Sequence, residues 1–311
     1  MAAFTILILR QHKKVILMPS KQQHRNVIRL GISTCPNDTF AFHALLNRLV
    51  DWQDLEFQID LLDIQQLNQR LFEGRFDVAK TSFHAALSLS DRFCVLPSGS
   101  ALGFGVGPLL LARQPGLQPT DDSYITLCPG KHTTAKLLFD LFHPKSTQVE
   151  HCVFSDIMPR LKAGEADFGV CIHEGRFTWQ DEGLGLVEDL GTRWEELTKC
   201  PLPLGGLVAD QTLPPDVLDR VQAIIHESLQ YSLSDRESAL PTMRQYAQEF
   251  NDHVLMQHVE LYVNEWTLDL GDVGRRALRK LSQLAQERGL LASSNQPISI
   301  WRSAPYTSQD G

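Results

Sequence analysis

Two stretches of the chain echo one another: Asp63-Ile64 with Leu71, Gly74 and Asp77-Val78-Ala79-Lys80-Thr81-Ser82, and Asp156-Ile157 with Leu161, Gly164 and Asp167-Phe168-Gly169-Val170-Cys171-Ile172-His173-Glu174. In each copy a helical segment ends at a glycine, and an aspartate three residues later precedes a short apolar run. A helix feeding a buried strand, twice over, marks two similar α/β units. Each run ends in polar residues, Thr81-Ser82 and His173-Glu174. Ligands of open α/β sheets collect outside the carboxyl ends of strands, which makes these two strand ends the first candidates for a site.

The neighbouring sequence extends this pattern. A strand Ile28–Ser33 leads through Cys35-Pro36-Asn37-Asp38 to a helix from Thr39 to Val50, with Asp38 as its expected N-cap. A strand Phe57–Leu62, a helix Ile64–Phe72, a strand Asp77–Thr81 and a helix opening at Phe83 follow. This βαβα order predicts a mostly parallel sheet with helices on both faces. Gly103-Phe104-Gly105-Val106-Gly107-Pro108-Leu109 and Leu202-Pro203-Leu204-Gly205-Gly206 are glycine-rich approaches to apolar runs, suited to two strands that cross between lobes and flex. The expected division is a first lobe from 27–111 and 205–291, an inserted second lobe 112–204, an extension 1–26 and a loose polar tail 292–311. The helices expected after Pro214, Val217–Ser232, Pro241–Phe250, His253–Val263 and Val273–Arg288, would pack back on the first lobe.

Composition narrows the function. The 311 residues are 43% apolar and 21% charged, the balance of a globular chain with a real core. Lysine and arginine number 29 against 37 aspartates and glutamates, a net charge of −8 that argues against nucleic acid or an anionic membrane as partner. A small anionic substrate held by local donors remains compatible. The six cysteines, Cys35, Cys94, Cys128, Cys152, Cys171 and Cys200, have no metal-site spacing and fit a reducing cytoplasm. The apolar run Ala2–Leu9 is followed rather than preceded by its positive cluster, so export is not expected, and no stretch is long enough for a membrane span.

Several motifs start and fail. Pro108 interrupts the glycine series Gly103, Gly105 and Gly107 where a dinucleotide loop would continue. Gly130-Lys131 lacks both the upstream glycine and the hydroxyl residue of a phosphate loop. His173-Glu174 and His226-Glu227 lack the second histidine of a zinc helix, with Phe177 and Gln230 in its place, so no metal is expected. His226 sits within an amphipathic helix and reads as a surface or partly buried histidine rather than a catalytic one. His173, at the end of a buried strand, can be a base or can close a hydrogen-bond network. Thr133 and Thr134 open a helix and offer hydroxyls and unpaired N–H groups to an anion, or simply cap it.

Ser33-Thr34-Cys35-Pro36-Asn37-Asp38-Thr39-Phe40, Ala79-Lys80-Thr81-Ser82, Pro129-Gly130-Lys131-His132-Thr133-Thr134-Ala135, Ile172-His173-Glu174 with Arg176-Phe177-Thr178, and Leu202-Pro203-Leu204-Gly205, in this order, resemble the 1,4-dihydroxy-6-naphthoate synthase family of the futalosine route to menaquinone. The resemblance runs from about Arg29 to Leu291. It implies a two-lobe fold like that of type II periplasmic solute-binding proteins, each lobe a mixed sheet flanked by helices, joined by two crossing strands. It implies a lyase without metal or organic cofactor that splits cyclic dehypoxanthine futalosine into the naphthoate and dihydroxyacetone. By the resemblance His173 is the proton acceptor, and Lys80, Thr81, Ser82, Thr133 and Thr134 bind substrate. Gly175 stands where a serine is expected. The related chorismate-dehydrating lyase and a non-catalytic solute-binding protein are the alternatives.

Overall fold

Asp77 and Asp167, the paired aspartates of the repeat, hold equivalent positions in two sheets. The computed structural model describes residues 26–172, 175–247, 251–291 and 296–302, Phe177 by its backbone only. In the first sheet β1 (Val27–Ser33) pairs in parallel with β2 (Glu56–Leu62) and β3 (Val78–Ser82). The Asp77 carboxylate, just before β3, accepts the backbone N–H of Arg29 at 2.9 Å and its guanidinium at 2.6 and 3.0 Å. In the second sheet β7 (Ile125–Cys128) pairs in parallel with β8 (Gln148–His151) and β9 (Phe168–Cys171). There Asp167 accepts the Ile125 N–H at 2.9 Å and lies 3.2 Å from Arg113. Each aspartate thus fixes the register of the parallel strand beside it. The glycines of the repeat match as well: Gly74 and Gly164 end their helices at φ +71° and +73°, the left-handed region that a side chain resists.

The sheets are mixed rather than mostly parallel. β11 (Leu202–Asp210) enters the first sheet antiparallel to β3, β4 (Phe93–Val95) and β5 (Ala101–Gly103). On the second sheet β6 (Leu109–Ala112) runs antiparallel to β9, and β10 (Gly185–Asp189) runs antiparallel to β6 at the sheet edge. The order is β2-β1-β3-β11-β4, with β5 also on β11, and β10-β6-β9-β7-β8. A strand that arrives from the opposite sheet runs against the local βαβ direction, which alternation within one unit does not reveal. Leu109–Leu111, placed before the lobe boundary by the sequence reading, therefore hydrogen-bond in the second sheet. The chain leaves the first sheet at Gly103, not at residue 111.

Apolar side chains fill both faces of the first sheet. Ile28, Leu30 and Ile32 are wholly buried under the helix Pro215–Ser234, which contributes Val221, Ile224 and Leu229. The opposite face receives Leu67 and Leu71 of the helix Ile64–Phe72, while Leu278 and Leu281 of the helix Gly271–Glu287 join the same core. The later helices thus pack largely on the first sheet, as their amphipathic faces suggest. Residues 296–302, expected as part of a loose tail, are engaged. Ile300 bridges Val95, Trp301 donates its backbone N–H to the Val95 carbonyl at 2.8 Å, and its indole donates to Asp219. A single bridge carries no periodicity, so sequence could not announce it. Residues 1–25 of the expected extension lie outside the described residues.

Two details link the sheets. The segment Phe104–Pro108 carries the chain across, and the return passes through Asp189 and the helix Leu190–Thr198. The two segments touch backbone to backbone: a Cβ on Gly107 would lie 2.2 Å from the Gly191 Cα. The second detail is a correction. Asp38 does not cap its helix, which begins at Pro36, where a proline with its fixed φ favours the first turn. Instead Asp38 Oδ1 accepts the Lys80 ammonium at 2.6 Å, and both side chains are 5% exposed.

Gly107→Ala is expected to lose at least about 2 kcal/mol of stability, since the added methyl meets backbone rather than a movable side chain; a urea midpoint equal to the parent's would contradict the crossing described. Asp38→Ala should cost about 3–5 kcal/mol by stranding a buried ammonium, and the double substitution Asp38→Leu with Lys80→Met should recover most of it. Equal urea midpoints for parent and Asp38→Ala would show that the pair is not buried in solution.

Candidate functional site

The parallel strands of both sheets end toward a common cavity of about 770 Å³, open mouth included. Ser33 at the end of β1, Lys80 and Ser82 on β3, Ala101 and Gly205 line it from the first sheet. Thr133, Thr134 and Ala135 after β7, Ile172 after β9, and Arg176 line it from the second. Side chains alternate along a strand, so Lys80 and Ser82 face the cavity while Thr81 points away. The fully buried Thr81 does not line the cavity, and its hydroxyl donates to Asn68 Oδ1 at 2.7 Å.

Lys80 is not a free cation. Its ammonium donates to Asp38 and, at 2.9 Å, to the Gly99 carbonyl, and Asn37 donates a further bond to Asp38 at 3.1 Å. This wall of the cavity is a neutral buried pair with one ammonium proton left over. Arg176 donates to the Gly107 carbonyl and, at 2.8 Å, to Asp189, whose other oxygen caps the helix Leu190–Thr198. It joins the cavity wall to the crossing segments.

The threonines present their backbone rather than their hydroxyls. Thr133 Oγ1 donates to the Gly130 carbonyl at 3.0 Å and accepts the Lys136 N–H at 3.3 Å, the N-cap of the helix Thr134–Phe142. Thr134 Oγ1 donates to the Leu204 carbonyl at 2.6 Å. At the first turn of a helix the N–H groups of Thr134 and Ala135 have no intrahelical acceptor, and both residues border the cavity. The segment singled out in the sequence borders the cavity, and the groups it can offer there are backbone amides.

His173 and Glu174 lie outside the described residues, between Ile172 and the turn Gly175–Thr178. A Cβ on Gly175 would meet only ordinary contacts, the nearest at 3.6 Å from Cys171 and Met158, so the missing serine reflects no lack of space. Among residues the sequence reading missed, Asn37, Asp38, Arg176, His258 and Tyr262 line the cavity. His258 and Tyr262 come from the helix Asp252–Tyr262, over 170 residues beyond β3, too far for any local pattern to signal. His226 contacts Ser98 Oγ at 3.2 Å and the Leu268 carbonyl at 3.3 Å, in keeping with the partly buried position read from its helix.

Burial pushes the Cys171 thiol up to about 12 and Cys94 up to about 11, so neither is a thiolate near neutrality. Burial lowers His84 to about 4, against a bond from its Nδ1 to the Thr133 carbonyl at 3.2 Å that partly offsets it. Among the described residues no group of three or more His, Cys, Asp or Glu is placed to hold a metal ion, and no helix is long and apolar enough to cross a membrane.

Comparison with known proteins agrees with this architecture. A family model described as menaquinone biosynthesis matches residues 28–287. A protein of Thermus thermophilus named 1,4-dihydroxy-6-naphthoate synthase is 41% identical over 273 residues, 88% of this chain and 99% of that one. One of the same name from Streptomyces coelicolor is 35% identical over 271 residues, 86% of this chain and 95% of that one. A crystal structure of a protein from Archaeoglobus fulgidus superposes with a TM-score of 0.80 at 30% identity, over 86% of this chain and 99% of that one. The periplasmic aliphatic sulphonate binding protein of Escherichia coli superposes with a TM-score of 0.61 at 14% identity, over 90% of this chain and 93% of that one, a likeness of fold alone. With two mixed sheets in the arrangement of periplasmic binding proteins and a family match from end to end of that fold, the chain belongs to the menaquinone-biosynthesis family.

Proposed function

We propose that the chain catalyses the reaction for which its curated relatives are named, forming 1,4-dihydroxy-6-naphthoate, with cyclic dehypoxanthine futalosine as substrate and dihydroxyacetone as the second product. The observation that carries this reading is the donor set at the facing strand ends: the Ser82 hydroxyl, the Thr134 and Ala135 amides and the remaining Lys80 proton border one cavity. Such a set suits a carboxylate and hydroxyls, and the largely apolar wall around it, with Ile64, Val106 and Ile172, suits a ring system. It also reconciles an anionic substrate with a net charge of −8.

In this reading the helix-start amides of Thr134 and Ala135 hold the carboxylate, with Thr133 as the cap that fixes them. Ser82 and Lys80 bind oxygens of the sugar-derived part, and Thr81 acts by holding its strand rather than by contact. His173, as neutral imidazole, takes the proton of a hydroxyl on that part. The O–H electrons form a carbonyl, the adjacent carbon–carbon bond breaks, and its electron pair passes into the ring system, where aromatisation makes the step favourable. The imidazolium then returns its proton. Closure of two lobes centred on the two sheets would exclude water, with the glycines near the crossings absorbing the motion. The chain's own residues supply each step of this scheme, and a cytoplasmic, cofactor-free enzyme is the setting proposed for it.

A solute-binding protein would share the fold and leave cyclic dehypoxanthine futalosine intact, and a chorismate-dehydrating lyase would act on a different acid. The test is incubation of the purified protein with cyclic dehypoxanthine futalosine, followed by mass spectrometry, for the parent and for His173→Ala. The parent should release dihydroxynaphthoate, and the variant should lose about 10²–10⁴-fold in kcat while still binding the product. Near-parental turnover by His173→Ala would remove that residue from the role of base. No product from the parent would overturn the functional reading.

A further inference from the structure

Asn68 lies on the inner face of the helix Ile64–Phe72, 2% exposed and behind the cavity wall rather than in it. Its amide is saturated. Oδ1 accepts the Thr81 hydroxyl at 2.7 Å and the Ser82 N–H at 3.0 Å. Nδ2 donates to Ser82 Oγ at 3.2 Å and to the His132 carbonyl at 3.5 Å. A side-chain amide has two acceptor sites and two donor hydrogens, and all four are used. The orientation is unambiguous, because a backbone N–H needs the oxygen and a backbone carbonyl needs the nitrogen.

We infer that Asn68 is a positioning residue that makes Ser82 a hydrogen-bond donor to substrate and holds the two donor-bearing segments in register. Ser82 Oγ already accepts a hydrogen from Asn68, and among the described residues no acceptor is paired with its own proton. That proton is left for a ligand, so Ser82 is set to donate to an acceptor atom beside it. The same amide reaches the carbonyl of His132, the residue before the Thr133 cap, and so links the strand that carries Ser82 to the loop that carries the Thr134 and Ala135 amides. Neither a carboxylate nor an aliphatic side chain of similar size can make both kinds of bond. The inference rests on the proposed reading that Ser82 and this loop hold substrate.

Asn68→Asp is the informative substitution. It keeps the shape and both acceptor roles and removes both donors, so the Ser82 hydroxyl turns to donate to the new carboxylate and is withdrawn from substrate. Asn68→Ala serves as the control without added charge. Steady-state kinetics on cyclic dehypoxanthine futalosine, with melting temperatures, are measured for each in the parent and in Ser82→Ala. In the parent background KM should rise about tenfold or more for both variants, with a smaller change in kcat. In the Ser82→Ala background the same substitutions should raise KM clearly less than in the parent, because only the link to the His132 carbonyl is left to lose. Equal effects in the two backgrounds, or parental kinetics for Asn68→Asp, would overturn the assignment while leaving the function intact. Absence of turnover by the parent would instead overturn the reading on which the inference rests, and the inference with it.

Discussion

The backbone contact between Gly107 and Gly191 holds together the two passages that join the sheets. The chain passes from the first sheet to the second at Phe104–Pro108 and returns through Asp189 and the helix Leu190–Thr198, and the two passages meet where neither residue has a side chain. Any larger residue would push the passages apart by a distance comparable to a methyl group. With them in contact, the carboxyl ends of β1 and β3 are brought opposite those of β7 and β9, and the space between is the cavity. Arg176 fastens this arrangement by bonding Gly107 on one passage and Asp189 on the other while lining the cavity itself. A change in the angle between the sheets would therefore be felt directly in the site.

The cavity's chemistry follows from where its charges are spent. Lys80 and Asp38 neutralise one another inside the wall, and Arg176 is paired with Asp189, so little unmatched positive charge faces the ligand. The remaining attraction for an anion comes from oriented dipoles: two helix-start amides and a hydroxyl whose proton has been turned outward by Asn68. Such groups are fixed before substrate arrives and lose no energy to reorganisation, which favours charge that develops during a reaction over charge already present.

What the sequence made legible was local. Asp77 and Asp167, Gly74 and Gly164, and the strands they precede were readable because each makes its contacts within a few residues or with the adjoining strand. The segments carrying Thr81, Ser82, Thr133 and Thr134 stood out as a strand end and a helix start, Lys80 was named by resemblance, and the turning of Thr81 away from the cavity appears only in the structure. The antiparallel entry of β11, the pairing of Asp38 with Lys80 across 42 residues, and the arrival of His258 and Tyr262 from a distant helix depend on tertiary packing, for which a single chain carries no periodic signal. Asp38 misled because an aspartate near a helix start is ordinarily a cap. Asn68 gave no sign at all, being one polar residue on a helix whose apolar stripe, Leu67 and Leu71, dominates the pattern. His173 was a candidate from its place after a buried strand, its role as base came from resemblance, and that role is a proposal.

The central claim is that one cavity between the two sheets holds the naphthoate product through helix-start amides and Ser82. A crystal structure of the protein soaked with 1,4-dihydroxy-6-naphthoate tests it most directly. The account predicts the carboxylate within hydrogen-bond distance of the Thr134 and Ala135 nitrogens and a product oxygen accepting from Ser82 Oγ. Product bound elsewhere, or in the same cavity with its carboxylate turned away from both amides, would contradict it.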